Sequence, residues 1–391
     1  MKKNYIMGVI ACAALTMTSC SNDEIGGNNT KQGDPIEFGV YLGRDAQGSR
    51  GTIITTENLT KFGVTAYLDM ATIPDFMYNQ EVIKSADGSW TYSPVKYWPT
   101  MENGNAHKAH SISFYAYAPY TNDANGLIQT GNNAEHYAPT ITISLPTGTN
   151  ADLTKMVDFV ATAKHFEYKT NSNVVTFALK HEMTRIDLKA KVSENVYGST
   201  AANKTKVVIR SLKLKSGGDF YTKAVYRYPQ TNNIERGTWD NRTTATTDID
   251  LQSILNWSNK WTISNKDIIS STNQGIALER TDTVKLFNTN QYLFLIPTEK
   301  AEGLEANKTS ATITYDIITE DSNLEDGYSK TSATKTVYLP AGIMQQGKAY
   351  NLTFTIAVDQ VKLDATVADW ETATNSGIDV PYTPDDATPN T

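Results

Sequence analysis

Near both ends of this chain, apolar and polar residues alternate with a period of two. Ile36, Phe38, Val40 and Leu42 are spaced by Glu37, Gly39 and Tyr41, and Val361, Leu363, Ala365 and Val367 by Lys362, Asp364 and Thr366. Successive side chains of a strand point to opposite faces, so each segment buries one face of a sheet and wets the other. The alternation restarts at 62–68, and further strands are predicted at 90–99, 112–120, 141–145, 174–179, 186–192, 206–214, 292–297, 311–317, 336–339 and 352–356. Helical signals are confined to two short runs, 151–156 and 250–255. Polar stretches at 121–138, 196–204 and 318–334 read as loops. The 21 tyrosines and the recurrent Thr-x-Thr and Val-x-Val patterns also favour strands. The spacing predicts an all-β sandwich architecture with few short helices, divided near residue 171.

The first residues carry a different signal. Lys2 and Lys3 supply a positive region, 6–15 an apolar run, and Met17-Thr18-Ser19-Cys20 a small-residue processing site of lipobox type. The apolar run is shorter than the roughly 20 residues that a permanent span needs. A lipoprotein signal over 1–19 is therefore expected, with Cys20 as the acylated first residue of the mature chain; the alternative is an ordinary secretory signal with a chance cysteine. Residues 21–34 hold one large apolar side chain, Ile25, and read as a tether.

Both cysteines, Cys12 and Cys20, lie at or before that site, so the body is expected to carry no disulfide and no cysteine metal ligand. A net charge of -7 argues against a nucleic-acid partner, which would call for a basic face. Catalytic motifs are missing: there is no Gly-x-Ser-x-Gly, no phosphate-binding Gly-x-x-x-x-Gly-Lys-Ser/Thr and no dinucleotide Gly-x-Gly-x-x-Gly. His107 and His110 are spaced for a metal pair but have no Cys or Glu-x-x-His companion, and acid pairs such as Glu320-Asp321 read as solvated. No cofactor, metal or enzymatic activity is expected. The aromatic residues of 90–98 read as core, whereas Trp239, Trp257 and Trp261 fall in a more polar region and are candidates for exposure and sugar stacking.

Between the first strand and the second lies the loop Gly43-Arg44-Asp45-Ala46-Gln47-Gly48-Ser49-Arg50-Gly51, small, polar and open to a protease. Arg44 and Arg50 are the only arginines before Arg185. A cut after Arg50 would free the 36–42 strand from the body, and its departure would expose an apolar groove with unpaired backbone groups. Such an edge accepts an added strand, and the amphipathic 361–367 segment of another copy is a candidate donor. That contact joins unlike surfaces and can propagate as a filament. The plain alternative is an ordinary first strand, surface loop and last strand.

Beyond periodicity, specific blocks recur. Arg50-Gly51-Thr52, Phe62-Gly63-Val64-x-Ala66-Tyr67, Trp90-x-Tyr92-x-Pro94-x-x-Tyr97-Trp98-Pro99, Phe114-Tyr115-Ala116-Tyr117-Ala118-Pro119 and Asp158-Phe159-Val160-Ala161 occur in that order. Phe177-x-Leu179-Lys180-His181-x-x-x-Arg185-Ile186, Leu295-Ile296-Pro297, Gly347-Lys348-Ala349-Tyr350-x-Leu352 and Val367-x-Asp369-Trp370 follow. Together with the lipobox, this series resembles the fimbrillin family of type V pilins from residue 35 onward. The resemblance implies two transthyretin-like Greek-key β-sandwich domains in tandem, 51–171 and 172–370, preceded by a 20–50 tether with a removable strand and followed by a 371–391 tail. It implies a surface lipoprotein precursor held by an outer-membrane lipid anchor and matured by a trypsin-like arginine-specific protease between Arg50 and Gly51, with Arg44 as second choice. Its partners would be other copies or related pilins joined by donor-strand exchange, with host or bacterial surface ligands for adhesion. Whether 361–370, 376–383 or both are donated stays open, as does a monomeric surface lipoprotein or tip adhesin that binds glycan.

Overall fold

The structure, a computed structural model, describes residues 34–42, 53–99, 111–134, 137–146, 151–162, 165–167, 174–193, 196, 204–215, 220–229, 236–278, 282–298, 310–339, 344–357, 360–370 and 378–380. Nearly all regular structure in them is β. The first ten strands are β1 (Glu37–Leu42), β2 (Lys61–Leu68), β3 (Met77–Lys84), β4 (Trp90–Thr91), β5 (Ile112–Ala118), β6 (Ile128–Asn133), β7 (Ala138–Ser144), β8 (Val160–Thr162), β9 (His165–Glu167) and β10 (Val174–His181). Eight of them form one sheet in the order β1-β10-β8-β5-β2-β3-β4, with β9 also on β5. β5 and β2 are buried on both faces. Phe114, Ala116, Phe62 and Val64 enter one cluster, whereas Tyr115, Tyr117 and Tyr67 enter another. Alternation has become apolar against aromatic, as a central strand covered on both sides requires.

This sheet curls on itself. Pro35 forms a bridge with Tyr97, the Ile36 amide donates to the Lys96 carbonyl at 2.9 Å, and the Trp98 amide donates to the Asp34 carbonyl at 2.9 Å. The two ends of the strand order are thereby brought together, and β1 closes the seam around the Phe62–Phe114–Phe177 cluster.

The remaining strands are β11 (Thr184–Val192), β12 (Thr205–Leu214), β13 (Tyr221–Arg227), β14 (Thr238–Thr244), β15 (Ile249–Asp250), β16 (Trp261–Ile263), β17 (Lys266–Ile269), β18 (Ile276–Leu278), β19 (Val284–Lys285), β20 (Leu293–Leu295), β21 (Ser310–Glu320), β22 (Tyr328–Tyr338), β23 (Lys348–Ile356), β24 (Val361–Asp369) and β25 (Ile378–Val380). Two sheets, β19-β11-β23-β24-β25 and β15-β12-β21-β22, place Leu188, Phe354 and Leu363 in one cluster with Ile209, Ile313 and Tyr315, which is the packing of a sandwich. A third sheet, β14-β13-β7-β6, draws strands from both sides of residue 171, and β10 belongs to the first sheet. The two helical candidates are single 3-10 turns, Leu153–Lys155 and Gln252–Ile254, joined by a hydrogen bond from the Leu153 amide to Ser253 Oγ at 3.0 Å. No helix among the described residues is long and apolar enough to cross a membrane.

Two polar stretches expected to be loops contain strands. β6 (Ile128–Asn133) lies within 121–138, and β21 with β22 reduces 318–334 to a short turn. β22 is the outermost strand of its sheet and largely exposed, so it has no apolar face to betray it; its eleven residues are held by an unbroken backbone ladder to β21. The stretch at 196–204 falls mainly outside the described residues.

Candidate functional site: a strand-covered groove

β1 lies parallel to β10, with register Glu37↔Val174 through Leu42↔Leu179. Periodicity located the strand and could not supply its direction, because a period of two reads the same both ways. Ile36, Phe38 and Leu42 are buried, Val40 is half-buried against the same cluster, and Glu37 and Tyr41 face out. Phe38 is the centre of the contact. Its ring sits 5.1 Å from Tyr92, 5.7 Å from Phe177, 6.0 Å from Phe114 and 6.5 Å from Phe62. At about 1.5–3 kcal/mol for each large side chain fully buried, Ile36, Phe38 and Leu42 contribute roughly 4.5–9 kcal/mol of apolar attachment before ordering costs.

Two polar contacts fix the strand ends. The Tyr92 hydroxyl donates to the Ile36 carbonyl at 2.9 Å and accepts from the Lys96 amide at 3.2 Å. Burial pushes that hydroxyl up to about 12. At the other end, the Leu42 amide donates to Thr56 Oγ1 at 3.1 Å, just beyond the loop. Thr56 was not legible as a site residue, since a hydroxyl in a turn carries no periodic signal.

Downstream of the loop the chain is anchored again. Ile53 is buried and its carbonyl accepts from Asn58 Nδ2 at 2.7 Å; the Ile54 amide donates to Asp158 Oδ2 at 2.7 Å. The other Asp158 oxygen, Oδ1, is 2.9 Å from His181 Nδ1, and the His181 ring stacks on Trp370 at 4.2 Å with an interplanar angle of 4°. Asp158, His181 and Trp370 each stood in a quoted motif, yet nothing in their sequence spacing shows that they meet.

The candidate donor is in place within its own sheet. β24 pairs with β23 along its whole length, with Leu363 and Ala365 buried and Val361 and Val367 partly buried against the large core. On its other side Ala365, Thr366 and Val367 pair with β25. Cys20, Arg44, Arg50, Gly51, His107 and His110 lie outside the described residues, as does 381–391.

Of the aromatics assigned to core, Trp98 is buried and Trp90 and Tyr92 pack on the groove cluster, but Tyr97 is exposed. Trp239, expected to be exposed, is 3% accessible, and its Nε1 donates to the Glu182 carbonyl at 3.0 Å. It occupies the inward position of β14 between exposed Thr238 and Asp240, whose polarity marks only the outer face. Trp257 and Trp261 are half-buried against apolar clusters.

The model of the fimbrillin-like family matches residues 49–370. The chain belongs to the fimbrillin-like family. The match begins beside Arg50, leaves β1 out and ends on Trp370. Among relatives of this fimbrillin-like chain, fimbrium subunit Fim1C of Phocaeicola vulgatus is 27% identical, over 95% of this chain and 98% of its own length. A solved fimbrial protein from Bacteroides vulgatus ATCC 8482 superposes with a TM-score of 0.68 at 24% identity, covering 86% of this chain and 99% of that one, and shares its fold.

Proposed function

We propose that this chain is the precursor of a fimbrial subunit, exported as a lipoprotein on Cys20, cut between Arg50 and Gly51, and polymerised at the cell surface by strand exchange with other copies or related pilins. The observation that carries the reading is the seam: β1 alone closes an otherwise curled sheet, and it buries Ile36, Phe38 and Leu42 in an aromatic groove. A cut in the following loop turns that attachment from covalent to contact-only. The body has its own anchors at Ile53 and Ile54, so it survives the loss. The vacated β10 edge then presents backbone groups and apolar pockets to a C-terminal strand from a neighbour.

The family match supports this division of the chain, since it starts at residue 49, two residues before the proposed new amino terminus, and leaves β1 out. The resemblance to a fimbrium subunit along nearly the whole of both chains supports the assembly role. In this reading the protein serves attachment at the outer surface and has no catalytic part.

The test is maturation of the purified precursor by an arginine-specific protease. A new amino terminus at Gly51, loss of the fragment carrying β1, and SDS-resistant ladders are expected. A product that releases β1 and stays monomeric at high concentration, with or without the neighbouring pilins, overturns the polymer reading.

A further inference from the structure

β10 is held unequally on its two sides. Its ladder to β1 runs over Val174 to Leu179, whereas its ladder to β8 covers Leu179↔Thr162, Lys180↔Ala161 and His181↔Val160. Departure of β1 therefore removes the longer of these two ladders and leaves the shorter at the far end. At that end three distant parts of the chain converge. Asp158 Oδ1 meets His181 Nδ1 at 2.9 Å with the side chains 0% and 7% exposed, and the Asp158 Oδ2 atom accepts from Ile54. The His181 ring lies flat on Trp370, which is also stacked with Phe294 at 5.6 Å and has the Arg185 guanidinium 5.3 Å from its ring. The His181 carbonyl accepts from Arg236 Nη1, and the next amide, Glu182, donates to Phe159 at 2.9 Å.

The geometry points to Asp158 and His181 as a clamp that holds β10 in register once β1 has gone, so that the groove stays open for the incoming strand; this rests on the strand-exchange reading. Both act as positioning residues. They work by fixing the end of the acceptor strand to the body. With β1 in place its ladder and the clamp share that task, and without it the clamp carries most of the load.

The experiment compares full-length wild type, Asp158→Ala and His181→Ala before and after arginine-specific cleavage, with His181→Asn and Asp158→Asn as conservative variants that keep a hydrogen-bonding group at each position. Two quantities are read: amide exchange across residues 179–184, and the rate at which a labelled peptide of residues 34–42 rebinds the cut protein from which β1 has been removed. Uncut variants are expected to protect 179–184 nearly as wild type does. The cut alanine variants are expected to lose that protection and to bind the peptide about tenfold more slowly or worse, the size set by a lost buried hydrogen bond; the conservative variants fall between. Should the alanine variants fail to fold, the same comparison is made with the conservative pair. Equal losses in cut and uncut protein, or peptide rates equal to wild type, overturn the clamp alone. A cut wild type that neither releases β1 nor takes up the peptide overturns the strand-exchange reading together with the clamp.

Discussion

His181 Nδ1 lies 2.9 Å from the Asp158 carboxylate, in a site where both side chains are almost fully withdrawn from water. One residue ends β10 and the other precedes β8, so this contact ties the strand beneath β1 to the body. Trp370, at the end of β24, covers the histidine ring.

Trp370→Ala is expected to destabilise the precursor by about 3–5 kcal/mol, the usual cost of emptying a buried aromatic site. Trp370→Phe keeps a ring over His181 and is expected to lose less. Urea unfolding followed by circular dichroism measures both, and equal losses for the two would show that the stacking contact has no special weight.

Phe38→Ala is expected to cost the uncut precursor about 3–5 kcal/mol, because Phe38 packs among four aromatic rings. After cleavage the same substitution is expected to speed release of β1 and, on the strand-exchange proposal, to leave the fibre unweakened. Release is followed by size-exclusion chromatography of the cut protein and fibre yield by SDS-resistant ladders. Fibres from Phe38→Ala that melt more readily than wild type would mean that β1 stays in the assembly.

Arg50→Ala is expected to leave a folded precursor that makes no fibres, whereas Arg44→Ala assembles normally. Immunoblots of surface fractions and electron microscopy of the cells decide between them; normal fibres from Arg50→Ala would shift maturation to Arg44 or to another route.

Stability is expected to fall steeply in alkali. Burial is the largest cause raising the hydroxyls of Tyr67, Tyr115 and Tyr117, and it takes Tyr92 up to about 12. A group whose folded value is raised contributes stability that is intact below its unfolded value, about 10 for tyrosine, and lost as pH rises through the folded one. The urea midpoint should therefore decline from about pH 10 upward, with tyrosinate absorbance rising in step with unfolding. Ionisation of Tyr67, Tyr115 and Tyr117 while the fold persists would contradict their burial.

Lys330 and Lys335 stand on β22, the outer strand of its sheet, where charged side chains discourage pairing with another chain. Replacing both by Val is expected to leave the monomer folded and to raise its self-association, read by light scattering over a concentration series. An unchanged scattering curve would show that the edge is protected by other means.

The alternation of Ile36, Phe38, Val40 and Leu42, and of Val361 through Val367, was enough to place a strand at each end, the side chains that turn inward and the all-β class, because burial of one sheet face leaves a mark every second residue. The expectations of lipidation at Cys20 and cleavage after Arg50 rest on short local motifs that lie outside the described residues. Beyond its last residues at 336–338, strand β22 was not legible, nor was the inward Trp239, because a ladder of backbone hydrogen bonds and a single buried position in a polar strand leave no periodic trace. The parallel pairing of β1 with β10, the closure of the sheet at Pro35 and Tyr97, and the meeting of Ile54, Asp158, His181 and Trp370 arose only on folding. Contacts between residues far apart in the chain depend on which edges lie side by side, and side-chain order along a single strand carries no information about its neighbour.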